Sequence, residues 1–195
     1  MNRLLLTIFT ALFIPQMIVA ATTSPAMSSL YKLENEKELK QVISETEKSD
    51  RVEDLIRTGI AYHNLSVLNV GAASDKSVDY LKKALELRPT DSIVMAYLGS
   101  ATTMMARDSW NIFTKMGDAN RGFNLLDKAV ATDPENVIVR VIRINNSLQA
   151  PDFLGRKRIA KQDMTKLEQI LSQNPNSLDA GTIADVRKKV SKADQ

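Results

Sequence analysis

The sequence predicts an all-α fold built as a short helical repeat, and three observations carry that expectation. The segments YLKKALELRP, LLDKAVATDP and KLEQILSQNP align at Leu81, Leu126 and Leu167, then at Ala84, Ala129 and Ile170. Each closes on a proline, Pro89, Pro134 and Pro175, 45 and 41 residues apart. Proline suits that place because it has no amide hydrogen and cannot continue a helix. No segment alternates apolar and polar residues for long enough to argue for a strand. The β-branched run VIVRVIRI, Val137 to Ile144, comes nearest, but its place in the repeat predicts a helix buried on both sides.

Taken in order, the chain opens with Arg3, an apolar run from Leu4 to Phe13, a break at Pro15 and Gln16, and small residues at Ala20 and Ala21. That is the layout of an export signal, residues 1–20, with cleavage expected after Ala20 or Ala21. A retained N-terminal membrane anchor is the alternative. Against it, the interrupted run is shorter than the roughly 20 apolar residues that span a bilayer. Residues 21–29 are small and polar and read as a flexible lead-in to a domain covering 30–195. From Tyr31 to Lys48 a narrow apolar stripe, Leu33, Leu39, Val42 and Ile43, predicts a solvated helix. Asp50 and Glu53 are placed as a capping box for the next one.

Counted back from the prolines, helix pairs are expected over about 51–89, 92–134 and 137–175, with a closing helix over 177–194. Gly59-Ile60-Ala61-Tyr62 and Leu98-Gly99 on the first helices, with ALELRP and AVATDP on the second, resemble the tetratricopeptide repeat. Its signature places L-G-x-x-Y, then A-x-x-x-F, then A and P. The resemblance covers Arg51 to Pro175 and implies a right-handed solenoid of about three helix pairs between N- and C-terminal capping helices. The chain departs from it in four ways, the first being that the A-x-x-x-F slots hold Ser77/Leu81, Gly122/Leu126 and Asp163/Leu167. It lacks the signature Trp, has Ile144 where Gly is usual, and has longer units than the 34-residue period. The extra length falls between the two helices of each pair, and is expected as enlarged loops on one edge of the stack.

The resemblance also implies a groove lined by the first helices. Position by position this offers Ile56, Ile60, His63, Asn64, Ser100, Thr103, Met104, Leu148 and Gln149. Outside the groove, the longest insertion, Met104 to Asn120, holds the only Trp, Trp110, with Phe113, Arg107 and Asp108. Trp and Arg combine large contact area with directed polar groups and often anchor interfaces. The same residues also suit a structural part, pinning the connection to the stack. The third connection adds Asn145, Asn146, Phe153 and Arg156. With Arg143 and Arg158, Arg156 presents guanidinium forks suited to an anionic group.

Composition narrows the function classes. Twenty-six basic residues face 23 acidic ones, so a net charge of +3 gives no case for nucleic acid. The basic runs RKRIAK and RKKVSK leave a weak contact with an anionic membrane surface open. With no Cys, disulfides and thiolate metal sites are excluded, and an exported protein of this kind fits a bacterial periplasm. His63 is the sole histidine, and no metal, hydrolase or phosphate-binding motif is present. The expected protein is therefore not an enzyme and carries no cofactor or metal. It is an exported scaffold that holds an envelope protein or peptide. A small-ligand-binding protein or enzyme, using a pocket between the Trp110 loop and the Asn145/Arg156 region, is the alternative. The sequence leaves the oligomeric state open.

Overall fold

The computed structural model describes Leu30, Tyr31, Leu33 and residues 35–193. The expected export signal, the whole lead-in, Lys32, Glu34 and the last two residues lie outside the described residues. Among the described residues the chain is all-α, with eight α-helices and no strand. They are α1 (Glu36–Thr46), α2 (Val52–Val67), α3 (Ala73–Leu87), α4 (Ser92–Asp108), α5 (Ile112–Thr132), α6 (Val137–Gln149), α7 (Arg156–Gln173) and α8 (Ala180–Lys192). A short 3-10 turn, Asp152–Leu154, separates α6 from α7. The β-branched run is helical, as its position requires.

The prolines act alike at all three places. Arg88, Asp133 and Asn174 each precede a proline and leave the helix at φ/ψ of −132/73, −139/82 and −133/75. Clash with the following ring disfavours helical geometry at such a residue. Their N–H groups donate to the carbonyls of Ala84, Ala129 and Ile170, the aligned positions of the three segments. In each case the residue three further on donates back across the turn: Asp91 to Arg88, Asn136 to Asp133, Ser177 to Asn174. Asp91 and Asn136 then cap α4 and α6 through their side chains, satisfying amide hydrogens that a helix start leaves unpaired. Asp50 and Glu53 do not form the expected box. Arg51 begins α2 without a side-chain cap, and Glu53 instead pairs with Arg88.

Packing follows the pairing. α2 lies on α3, α4 on α5 and α6 on α7; α2 meets α4, and α4 meets α6. α1 covers α2, while α8 packs on α6 and α7. Leu81, Leu126 and Leu167 are fully buried at equivalent places. Gly99 and Gly122 bring α4 and α5 together: a Cβ on Gly99 would stand 2.8 Å from the Gly122 carbonyl oxygen. The buried apolar residues form two clusters, a larger one spanning α1 to α6 and a smaller one of α6, α7, Leu178 and α8.

In the α4–α5 pair the extra length is mostly helix rather than loop. Met104 to Asn120, expected as the longest insertion, is the last turn of α4, a turn at 109–111 and the first turns of α5. Asn111 starts α5 by accepting from the Phe113 and Thr114 amides. The arms of this hairpin are lengthened instead, and its tip shares an edge with the tip of α2–α3. Arg107 Nη2 donates to the Ser66 carbonyl at 3.3 Å, and Ser74 Oγ to Asp108 Oδ2 at 3.2 Å, joining the α4–α5 tip to the α2–α3 tip. Among the described residues no helix is long and apolar enough to cross a membrane.

Candidate functional site

On the shared edge, an apolar pocket of about 440 Å³ opens between the α4–α5 tip and the connection from α6 to α7. α5 supplies one wall through Ile112, Met116, Ala119 and Phe123, a helical stripe left unpaired at its outer end. Ala150, Pro151, Phe153 and Leu154 form the opposite wall. Pro151 starts the 3-10 turn, and Gly155, at φ 63°, lets the chain pass directly into α7. Around the mouth the side chains are unusually bare. Trp110 is 95% exposed, Phe113 84% and Phe153 79%, and Ile112 and Met116 are more than half exposed. Large apolar side chains gathered in one exposed place mark an interaction surface more often than scattered ones do.

The floor is polar in composition but closed. Asn146 Nδ2 donates to Ser100 Oγ at 2.9 Å and to the Ile142 carbonyl, while its Oδ1 accepts from Thr103 Oγ1 at 2.6 Å. Ser100 Oγ in turn reaches His63 Nε2 at 2.8 Å. On the far side of the imidazole, Nδ1 is 3.0 Å from Asn64 Oδ1. The Asn64 amide nitrogen donates to the carbonyls of Leu30 and Leu33, so its oxygen must be the acceptor. Nδ1 therefore carries the proton, and Nε2 accepts from the serine hydroxyl. Burial pushes the His63 pKa down to about 4, partly opposed by the Asn64 hydrogen bond. The order hydroxyl, imidazole, amide has the outline of a nucleophile and its base. Ser100, however, is 1% exposed, and no substrate reaches its oxygen.

Beside Phe123 lies an ion network. Asp163, fully buried, accepts from Arg140 Nη1 at 2.6 Å and from Arg143 Nε and Nη2 at 2.7 Å each. Asp127 accepts from Arg143 at 3.1 Å and from both terminal nitrogens of Arg156 at 2.8 and 2.9 Å. The Arg156 guanidinium also lies 4.6 Å from the centre of the Phe123 ring. Burial alone would raise the Asp127 pKa, but the Arg156 and Arg143 hydrogen bonds and charges bring it below the usual range. Burial likewise works against the Arg143 charge, and Asp163 and Asp127 more than compensate.

Several expected site residues meet here. Arg107, Asn146, Phe153, Thr103, Met104 and Gln149 line the pocket. Trp110 and Phe113 stand beside it, projecting into solvent rather than pinning the connection down. Asp108 pairs with Arg107. Others are placed elsewhere. Arg143 and Arg156 are engaged by Asp127 and Asp163 and offer no free fork to an anion. Asn145 turns away, accepting from Lys189 of α8. Ile56, Ile60, His63 and Ser100 are buried and cannot line an open groove, because α4 and α1 pack over that face of α2. Asn64 is spent on the Leu30 and Leu33 carbonyls, and Leu148 packs into the smaller core. The lining residues of α5 that sequence reasoning missed include Ile112, Lys115, Met116, Ala119 and Phe123. Their 4-3-4 apolar spacing, with Asn111 as a cap, is the signal that would have found them.

The chain matches no family model, no curated protein and no solved structure.

Proposed function

We propose that this chain is an exported interaction module of tetratricopeptide-like design, which docks another protein through the edge formed by its hairpin tips. The observation that carries the reading is a group of five exposed large apolar side chains: Ile112, Met116 and Phe153 line one apolar pocket, and Trp110 and Phe113 flank Ile112 in the chain. The three matching helix stops at Pro89, Pro134 and Pro175, and the succession of contacts from pair to pair, support a short solenoid with α1 and α8 covering its ends. Export, and a periplasmic site of action, rest on the N-terminal sequence. Docking here works by buried apolar area and shape, not by bond-making. The closed polar floor and the inaccessible Ser100 favour that over hydrolytic chemistry.

A photo-crosslinking residue in place of Phe113 or Phe153 tests the reading in a periplasmic extract. A discrete adduct at these positions, absent when the same residue replaces Leu87 on another face, is the expected result. Equal labelling at all three positions would count against a dedicated edge. The pocket itself favours a second reading, an apolar small ligand, since about 440 Å³ lies within the range of ligand sites. A saturable thermal shift with a single small compound, unchanged by mutation of Trp110, would favour that alternative.

A further inference from the structure

We infer that the partner at this edge is a second copy of the chain, paired about a twofold axis so that Trp110 and Phe113 of each molecule enter the pocket of the other. The inference rests on the docking-edge reading and names its occupant. A twofold interface uses one patch on both molecules, so the patch must contain both the protruding and the receiving part. This edge does. Trp110 and Phe113 project from the same helix start that supplies Ile112 and Met116 to the pocket wall. The cavity, about 440 Å³, is larger than one indole.

The chemistry of the pocket selects an aromatic occupant. Asn146 and Thr103 have turned their polar atoms inward, so the floor offers a ligand little directed hydrogen bonding. At the rim, the Gln149 and Asn120 amides supply acceptors, which a buried indole N–H needs. Area agrees as well. At their exposures of 95%, 84% and 79%, the side chains of Trp110, Phe113 and Phe153 present about 500 Å² before Ile112 and Met116 are added, against about 800 Å² per partner in a standard interface.

Charge separates this partner from an acidic peptide or an anionic bilayer. Arg107 and Lys115 are the charged residues lining the pocket, and Asp108 neutralises Arg107 at 2.7 Å. Of the charges lining the pocket, that of Lys115 has no carboxylate paired to it among the described residues, so across a twofold axis the pocket charges of the two copies repel one another. Salt screens that repulsion, so pairing holds or strengthens as salt is added. Attraction between Lys115 and an anionic partner would weaken under the same change.

Sedimentation velocity and Trp110 fluorescence on the intact purified protein, across a dilution series at low and high salt, test the pairing. Trp110 is the only tryptophan, so its emission reports this edge alone. The expected result is a doubled mass at high concentration, with emission moving to the red on dilution and neither effect weakened by salt. Met116→Lys and Phe113→Asp are expected to raise the dissociation constant at least ~10-fold. Leu87→Lys, an exposed apolar position on another face, leaves it unchanged. A single monomer mass at every concentration overturns the pairing, as does a dimer insensitive to Met116→Lys and Phe113→Asp. A monomer that still gives the discrete crosslinked adduct overturns the second copy as occupant and leaves the docking edge standing. Loss of both overturns both.

Discussion

His63 shows how a single buried group makes the fold answer to pH. Its folded pKa of about 4 lies below the unfolded value near 6.5, so the unfolded chain binds the proton more readily. The stability it contributes is whole above the unfolded pKa and is lost as pH falls toward the folded one. Unfolding by urea should therefore need about 2 kcal/mol less at pH 5 than at pH 7. His63→Gln should flatten that difference while lowering stability at pH 7, because Ser100 and Asn64 lose their imidazole partner. Gly99 is a second sensitive point. Gly99→Ala would drive a Cβ against the Gly122 carbonyl oxygen, and a loss of about 1–3 kcal/mol is expected in thermal unfolding. Gly117, which has nothing within 4 Å of an added Cβ, is the control, and Gly117→Ala should not destabilise.

Among the elements, α6 and α7 are joined by charge as much as by apolar contact. Asp163→Ala would leave Arg140 and Arg143 without their shared carboxylate in a buried setting, and about 3–5 kcal/mol should be lost. Asp152→Ala, removing an exposed pair with Lys157, should change stability by less than ~1 kcal/mol. Denaturation of the two variants side by side checks both figures. The helix stops were legible from sequence because each is a local event, a proline acting on the residue before it. The arms of α4 and α5 were not. Met104 to Asn120 mixes Arg, Asp, Trp and Gly, and pairs of longer period than 34 residues invite a loop reading. What makes this stretch helical is a cap at Asn111 and packing between Gly99 and Gly122, a contact between residues 23 positions apart. The pocket was legible only as a neighbourhood. Its wall residues look like core until the neighbouring helix that would cover them is found not to reach that far.

In the whole molecule, two core clusters meet through Ile138, and α8 closes the smaller one with Val186 almost completely buried. Val186→Asp should therefore open the α6–α8 end first. Amide exchange is expected to quicken across α7 and α8 while α2 to α5 stay protected, giving unfolding curves that differ between probes. Uniform loss of protection along the chain would mean the two clusters act as one cooperative body. The matching turns at Arg88, Asp133 and Asn174 have a wider consequence. Since each junction is set by its own few residues, whole turns of helix can be gained or shed at the opposite tips without disturbing how neighbouring pairs are seated. A lineage could reshape the outer rim of such a molecule while the seating of its helix pairs stays as it was.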